Sequence, residues 1–215
     1  MIDRFLYPRQ ERLLRPVARW LVRRGATADG LTVAGFALGL SAVPFLWGGY
    51  YGAALVGILL NRLFDGLDGA VARVAGPTDR GAFLDISFDF FFYATIPFGF
   101  ALADPGANAL AAAALVTAFV GTGSSFLAFA ILSERRGIAR DAYPTKGIQY
   151  LGGLTEGAET IALFVAMCLW PAQFPALAFG FAILCLITTG LRWHHGWAVL
   201  AAPGPSALPH ERLSR

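Results

Sequence analysis

Two stretches decide how this chain is read: Asp65-Gly66-Leu67-Asp68-Gly69-Ala70-Val71-Ala72-Arg73 and Gly81-Ala82-Phe83-Leu84-Asp85-Ile86-Ser87-Phe88-Asp89. They fall in two neighbouring apolar runs, approximately Gly52 to Val74 and Ala82 to Ala103. A charge at mid-depth in a membrane helix costs about 2.5–3.5 kcal/mol on insertion scales, so four lone carboxylates would oppose insertion by about 10 kcal/mol or more. That rivals the whole stability of a domain. These carboxylates must be paired, coordinated or hydrated. Asp65 and Asp68 are spaced i, i+3, and Asp85 and Asp89 i, i+4, so each pair shares one helix face. The pairs stand at similar distances on either side of a turn at Gly76-Pro77, so in an antiparallel hairpin all four meet at one depth. Two arginines in the span, Arg62 and Arg73, cannot neutralise that cluster, whereas one or two divalent cations can. An all-oxygen donor set favours Mg²⁺ or Mn²⁺ over zinc or copper. A structural salt-bridge network is the competing explanation, disfavoured because Arg62 and Arg73 lie toward opposite ends of the span.

The rest of the chain supports a membrane setting. Of 215 residues, 56% are hydrophobic and only 14% charged, against about a quarter charged in a soluble domain. That balance excludes a solvated globular enzyme, a disordered protein and a nucleic-acid-binding module. The expectation is an all-α polytopic membrane protein with six transmembrane helices. The spans are approximately Leu31 to Trp47, Gly52 to Val74, Ala82 to Ala103, Ala107 to Leu132, Leu154 to Trp170 and Phe174 to Leu191. Breakers separate them: Gly48-Gly49, Gly76-Pro77, Asp104-Pro105-Gly106, Tyr143-Pro144 and Pro171. Cys168 and Cys185 sit in apolar runs without metal-type spacing and read as small hydrophobes.

Basic residues set the orientation. Arg4, Arg9, Arg12, Arg15, Arg19, Arg23 and Arg24 crowd the leader; the others, Arg62 apart, fall at every second connection and after the last span. The remaining three connections hold no Lys or Arg. The positive-inside rule then places both termini, and the carboxylates, on the cytoplasmic side of the membrane. In the leader, Leu13, Leu14, Val17, Trp20 and Leu21 alternate with arginines at helical spacing, which predicts an amphipathic interfacial helix kinked at Pro16. The domain reading is a leader over 1–28, a six-helix domain over 29–195 and a cytoplasmic tail over 196–215.

The carboxylate pattern resembles the signature of the CDP-alcohol phosphotransferases, D-x-x-D-G-x-x-A-R followed by G-x-x-x-D-x-x-x-D. Two departures stand out. The spacer from Val74 to Arg80 is seven residues where eight is usual, and Asp29 replaces the Asn of a Pro-Asn-x-x-Thr element whose Thr is matched by Thr32. The resemblance implies transfer of a substituted phosphoryl group from a CDP-linked lipid or alcohol donor to an acceptor alcohol, with release of CMP. It implies that Asp65, Asp68 and Asp85 hold two Mg²⁺ or Mn²⁺ ions, with Asp89 completing the site and acting as general base. Substrate contacts would come from Asp29, Thr32, Arg73 and Thr78, with Gly69 and Ala72 leaving room for the nucleotide. The resemblance also implies a homodimer among membrane lipids, and no nucleic-acid partner.

Weaker candidates flank this set. Glu156 and Glu159 share a face at the start of span five, where they either complement the helix dipole or line an acceptor pocket. Arg135, Arg136, Arg140 and Lys146 either set topology or bind a phosphate on the acceptor or lipid headgroups. The stretch Gly121-Thr122-Gly123-Ser124-Ser125 reads as a packing surface. Two rival functions remain: a membrane prenyltransferase, whose carboxylate clusters are farther apart in sequence, and a cation- or proton-coupled transporter. A transporter would be expected to show inverted repeats and broken helices, and neither is visible in this sequence.

Overall fold

The structure is a computed structural model that describes residues 3–137 and 154–201. Among the described residues every regular element is helical. Helix α1 (Asp3–Arg23) is the leader, running unbroken past Pro16. It is followed by α2 (Ala28–Leu40), α3 (Ala42–Trp47), α4 (Tyr51–Ala75), α5 (Asp79–Ala103) and α6 (Pro105–Arg135). After the undescribed segment come α7 (Gly157–Leu169), a single 3₁₀ turn over Pro171–Gln173, and α8 (Phe174–Ala201).

The expected first span is therefore two helices, divided at Ser41. Pro44 has no N–H to return to the carbonyl of Leu40, and Ser41 Oγ donates instead to Leu38 O at 2.6 Å. Helix α8 extends ten residues beyond the predicted end of the sixth span at Leu191. Among the described residues four segments are long and apolar enough to cross a membrane: Ala28–Trp47, Asp79–Ala103, Pro105–Arg135 and Pro171–Ala201. At 25 residues α4 has the length, but Arg62, Asp65, Asp68 and Arg73 interrupt its apolar character. Helix α7 is apolar but has only 13 described residues, about 20 Å at 1.5 Å per residue, short of a hydrocarbon core about 30 Å thick.

Packing follows residue size. The main core gathers Phe92, Ile96 and Phe100 of α5 with Leu46, Ile58, Leu115, Phe164, Met167 and Phe174. Tyr51, Phe100 and Phe174 stack with ring centroids 5.6 and 4.5 Å apart. A second, smaller core joins Ala18 of α1 to Ala70 and Val71 of α4, flanked by Leu14, Leu21 and Leu31. The stretch of α4 that bears Asp65 and Asp68 lies between these cores. On α6, Gly123 comes so close to α5 that a Cβ there would lie 2.6 Å from the Phe90 ring, as its reading as a packing surface anticipates.

Helices α2 and α4 approach through Gly35 and Gly39. A Cβ on Gly35 would fall 2.6 Å from Phe64 Cβ, and one on Gly39 would fall 2.9 Å from both Asn61 Nδ2 and the Phe92 ring. We expect Gly35→Val to destabilise the protein by roughly 1–3 kcal/mol through overpacking. A lower apparent melting temperature in detergent would show this, and an unchanged one would mean that α2 can back away freely.

The α4–α5 connection is three residues long. Gly76 has φ of +104°, a conformation that side-chain-bearing residues rarely adopt. Pro77 follows, and the Thr78 hydroxyl caps α5 by accepting from Gly81 N at 3.0 Å. This turn makes α4 and α5 an antiparallel hairpin and fixes which of their residues share a level.

Candidate active site

The hairpin brings together three of the four predicted ligands. One carboxylate oxygen from each of Asp65, Asp68 and Asp85 lies within 4.8 Å of the other two. Asp68 is buried, at 6% exposure, and Asp65 and Asp85 are half-buried. Thr32 Oγ1, on α2, lies 2.6 Å from Asp68 Oδ2 and donates to it. The cleft around these groups is flanked by Phe36 and Phe88, whose rings stack at 4.1 Å.

Asp89, the fourth carboxylate, lines the same cleft but stands apart from that trio. Its Oδ1 accepts from Arg62 Nη2 at 2.5 Å. The same guanidinium reaches Asp65 Oδ2 at 3.5 Å and Tyr93 Oη at 3.2 Å, and its Nε and Nη2 donate to Asn61 Oδ1 at 2.9 and 2.8 Å. It also lies over the rings of Phe92 and Tyr93, 5.4 and 5.5 Å from their centroids. Sequence reasoning counted Arg62 and Arg73 as two cations toward opposite ends of the span, too few to neutralise the cluster. Within the folded hairpin Arg62 is a fixed cation between two of the acids.

Removing one member of a buried ion pair leaves the other charge uncompensated, at a cost of about 3–5 kcal/mol in full burial. Arg62 and Asp89 are 17% and 31% exposed, so solvent reduces that penalty. We expect Arg62→Ala to lower both melting temperature and turnover, and Arg62→Lys to recover stability better than rate, because a single ammonium cannot serve Asp89, Asn61 and Tyr93 together. Equal recovery of both would reduce Arg62 to a generic positive charge.

The remaining predicted residues separate into groups. Asp29 Oδ2 accepts from Arg80 Nε at 2.7 Å, tying the start of α2 to the start of α5, and it also faces Gly81 closely. Thr78 is occupied in capping α5. Gly69 leaves open space beside α4, where an added Cβ would meet only Arg73 Nη1, at 3.3 Å. Ala72 lies in the same turn, half-buried. Arg73 itself faces α1, with Nε 3.9 Å from Glu11 Oε1. Glu156 and Glu159 form a capping box at the start of α7, in which Glu159 Oε2 accepts from Glu156 N at 3.2 Å. That is the helix-terminus role, and neither residue lines the carboxylate cleft. Arg135 lies in the last turn of α6, and Arg136 donates to Leu200 O at 2.5 Å, joining α6 to α8. Arg140 and Lys146 lie outside the described residues.

The donor set fits a hard divalent cation. Three carboxylates from two helices converge around the buried Asp68, and Arg62 is already shared between Asp65 and Asp89. Without a cation such a cluster would carry crowded like charge, part of it, at Asp68, away from water.

The sequence of the CDP-alcohol phosphatidyltransferase family matches this chain over residues 26–201, from just before α2 to the end of α8. The chain belongs to the CDP-alcohol phosphatidyltransferase family. Its class is accordingly that of a transferase of phospholipid synthesis. Similarity to the inner membrane protein YnjF of Escherichia coli K12 reaches 56% identity over 200 residues, covering 93% of this chain and 97% of that protein. Phosphatidylinositol phosphate synthase of Mycobacteroides abscessus is 28% identical over 212 residues, covering 90% and 86% of the two chains. Among solved structures, Mycobacterium tuberculosis phosphatidylinositol phosphate synthase with CDP-DAG bound shares the fold at a TM-score of 0.65 and 24% identity, covering 95% of this chain and 100% of that one. The same enzyme in complex with manganese and citrate matches with the same score and identity, covering 94% and 93%.

Proposed function

We propose that this CDP-alcohol phosphatidyltransferase moves a phosphatidyl or similarly substituted phosphoryl group from a CDP-linked donor, such as CDP-diacylglycerol, to the hydroxyl of a polar alcohol, releasing CMP. The observation that carries this reading is the convergence of Asp65, Asp68 and Asp85 in one partly buried cluster with Asp89 one turn farther along α5. Asp65, Asp68 and Asp85 would hold Mg²⁺ or Mn²⁺, two ions in the fullest form of the site, with Asp89 completing the set. When bound, the ions neutralise the diphosphate and the charge that develops on it. The manganese and CDP-DAG complexes of the M. tuberculosis enzyme support this choice of ion and donor.

The protein's own groups do the remaining work. Thr32 holds Asp68 in one orientation. Arg62 fixes Oδ1 of Asp89, leaving the second oxygen to take the acceptor's proton as its hydroxyl attacks phosphorus. The open side of Gly69, with the small Ala72 in the same turn, would give a nucleotide access to α4, and Arg73, Thr78 and Asp29, the last joined to the start of α5 through Arg80, would border its phosphates. In this reading α4 and α7 complete six spans, and α1 lies along the cytoplasmic leaflet. Both termini and the cleft then face the cytoplasm. The inner-membrane name of the E. coli relative supports an inner-membrane location. Acyl chains stay in the bilayer, the CDP head enters the cleft, and the acceptor arrives from water. Pairing into a homodimer is part of the same reading.

The test incubates purified protein with CDP-diacylglycerol, Mn²⁺ or Mg²⁺ and a panel of alcohols: glycerol phosphate, inositol, inositol phosphate, serine and choline. We expect metal-dependent CMP release with one of them. Failure with every pair would sink the transferase reading. Metal flux through proteoliposomes without any CDP substrate would favour a transporter instead.

A further inference from the structure

The cleft around the carboxylates encloses only about 10 Å³, room for about one water molecule and none for a nucleotide diphosphate. Something must part before a substrate can reach the acids. Helices α2 and α5 lie side by side there and cross-link at three levels. At their starts, Arg80 donates to Asp29. One turn along α2, Thr32 donates to Asp68, which converges with Asp85 of α5. A further turn along, Phe36 stacks on Phe88 at an interplanar angle of 13° and meets Phe91 edge-on, with centroids 5.9 Å apart. At about 100° per residue, Phe88 and Phe91 lie roughly 60° and 120° around α5 from Asp85, on the same flank as Arg80. These side chains therefore form the outer wall of the α2–α5 seam, with the acids behind it. Val33 and Phe91, 49% and 57% exposed, carry that wall to the surface. Gly35 and Gly39 seat α2 closely on α4, so the wall can open by rotation of its side chains while the backbone stays in place.

We propose that the stacked Phe36 and Phe88 rings are a gate through which a lipid-linked donor enters the acidic cleft sideways from the bilayer. For its ligand the gate rests on the transferase reading above. In that reading α2 and α5 both enter the membrane from the cytoplasm, and Phe88 and Phe91 then stand about 5 and 9 Å deeper than Asp85. That is the side on which acyl chains lie. A diphosphate carrying such chains keeps its head with the acids and its tails in lipid, so the linkage between them crosses the seam at the rings. The two ends of the seam differ in the same sense. Its shallow end is closed by an ion pair whose Arg80 side chain is 80% exposed, suited to water and headgroups, and its deep end by hydrocarbon alone. One aromatic pair is a modest barrier, able to slow passage by roughly two- to ten-fold and no more. A donor without acyl chains has no need of this route.

The test times binding without turnover. Full-length protein in lipid nanodiscs, with Mn²⁺ and no acceptor, is given radiolabelled CDP-dioleoylglycerol or CDP-glycerol, the same head without acyl chains. In Phe88→Ala we expect association and dissociation of CDP-dioleoylglycerol both to quicken by roughly two- to ten-fold, leaving the dissociation constant nearly unchanged. Phe88→Leu keeps much of the apolar volume and loses the stack, so it should shift the rates in the same direction even if Phe88→Ala does not fold. CDP-glycerol should bind both variants at the wild-type rate. Phe98→Ala removes a ring that is 54% exposed, nearly three turns farther along α5, and should leave both donors unaffected. Equal acceleration of CDP-glycerol would overturn the bilayer route. Weaker binding at an unaltered association rate would make the rings a contact surface for the donor, overturning the gate. Unaltered rates in both Phe88 variants would reduce the stack to packing and overturn the gate alone. Wild-type protein that bound neither donor would instead bring down the donor reading, and the gate with it.

Discussion

Asp89→Asn is expected to lower turnover by roughly 10²–10⁴-fold, the usual worth of a positioned general base, while leaving donor binding nearly intact. The amide has the shape of the carboxylate, and its oxygen can still accept from Arg62 Nη2, so the Arg62–Asn61–Tyr93 network keeps its geometry. What the amide cannot do is take a proton. The oxygens of Asp65, Asp68 and Asp85 gather within 4.8 Å without help from Asp89, so ion and donor affinity should survive the change. Single-turnover CMP release, set beside equilibrium binding of a CDP-linked donor, separates the two effects. A near-normal rate would remove Asp89 from the proton-transfer role. A parallel loss of donor affinity would make holding the ions, and not proton transfer, its main contribution.

The second large effect concerns Asp68, the most buried of the three converging acids. A ligand that binds only the folded state stabilises it by about 2.7 kcal/mol at a hundred times its dissociation constant. Mn²⁺ should therefore raise the wild-type melting temperature, and Asp68→Asn should abolish that rise. In EDTA the order reverses: the variant should melt at or above the wild type, since one of three crowded like charges is gone. Activity should fall roughly 10³-fold, as several kcal/mol of charge stabilisation are lost at about 1.4 kcal/mol per factor of ten. Protein-bound Mn²⁺ counted by electron paramagnetic resonance gives a readout independent of turnover. A Mn²⁺-induced stabilisation that persists in the variant would place the ion elsewhere.

Much of this site could be read from spacing alone. The i, i+3 and i, i+4 pairs on either side of a Gly-Pro turn put all four carboxylates at one depth, and the hairpin gathers Asp65, Asp68 and Asp85 while Asp89 turns to Arg62. The same symmetry, carried one turn further from the bend, levels Arg62 with Asp89 and Tyr93. That contact was available to the eye but was lost by judging Arg62 along its own helix instead of across to the next. Other features lie beyond pattern reading. The break at Ser41 depends on what Pro44 withholds within an otherwise continuous apolar run. The close contact of Gly35 with Phe64 depends on how two helices cross, which no one-dimensional spacing records. Glu156 and Glu159 have the spacing of both a pocket lining and a capping box, and only backbone geometry distinguishes the two.

The three-residue bend between α4 and α5 has a consequence for how the protein discriminates among alcohols. With Gly76 held at positive φ, Pro77 fixed in its ring and Thr78 capping the next helix, little torsional freedom remains there. The acidic groups on the two arms are thus preorganised, their ordering entropy already lost when the chain folded rather than at each catalytic cycle. A rigid hairpin cannot reshape itself for different acceptors. Adaptation to a larger or smaller alcohol, in this protein or in an engineered descendant, must come from helices outside the α4–α5 arms.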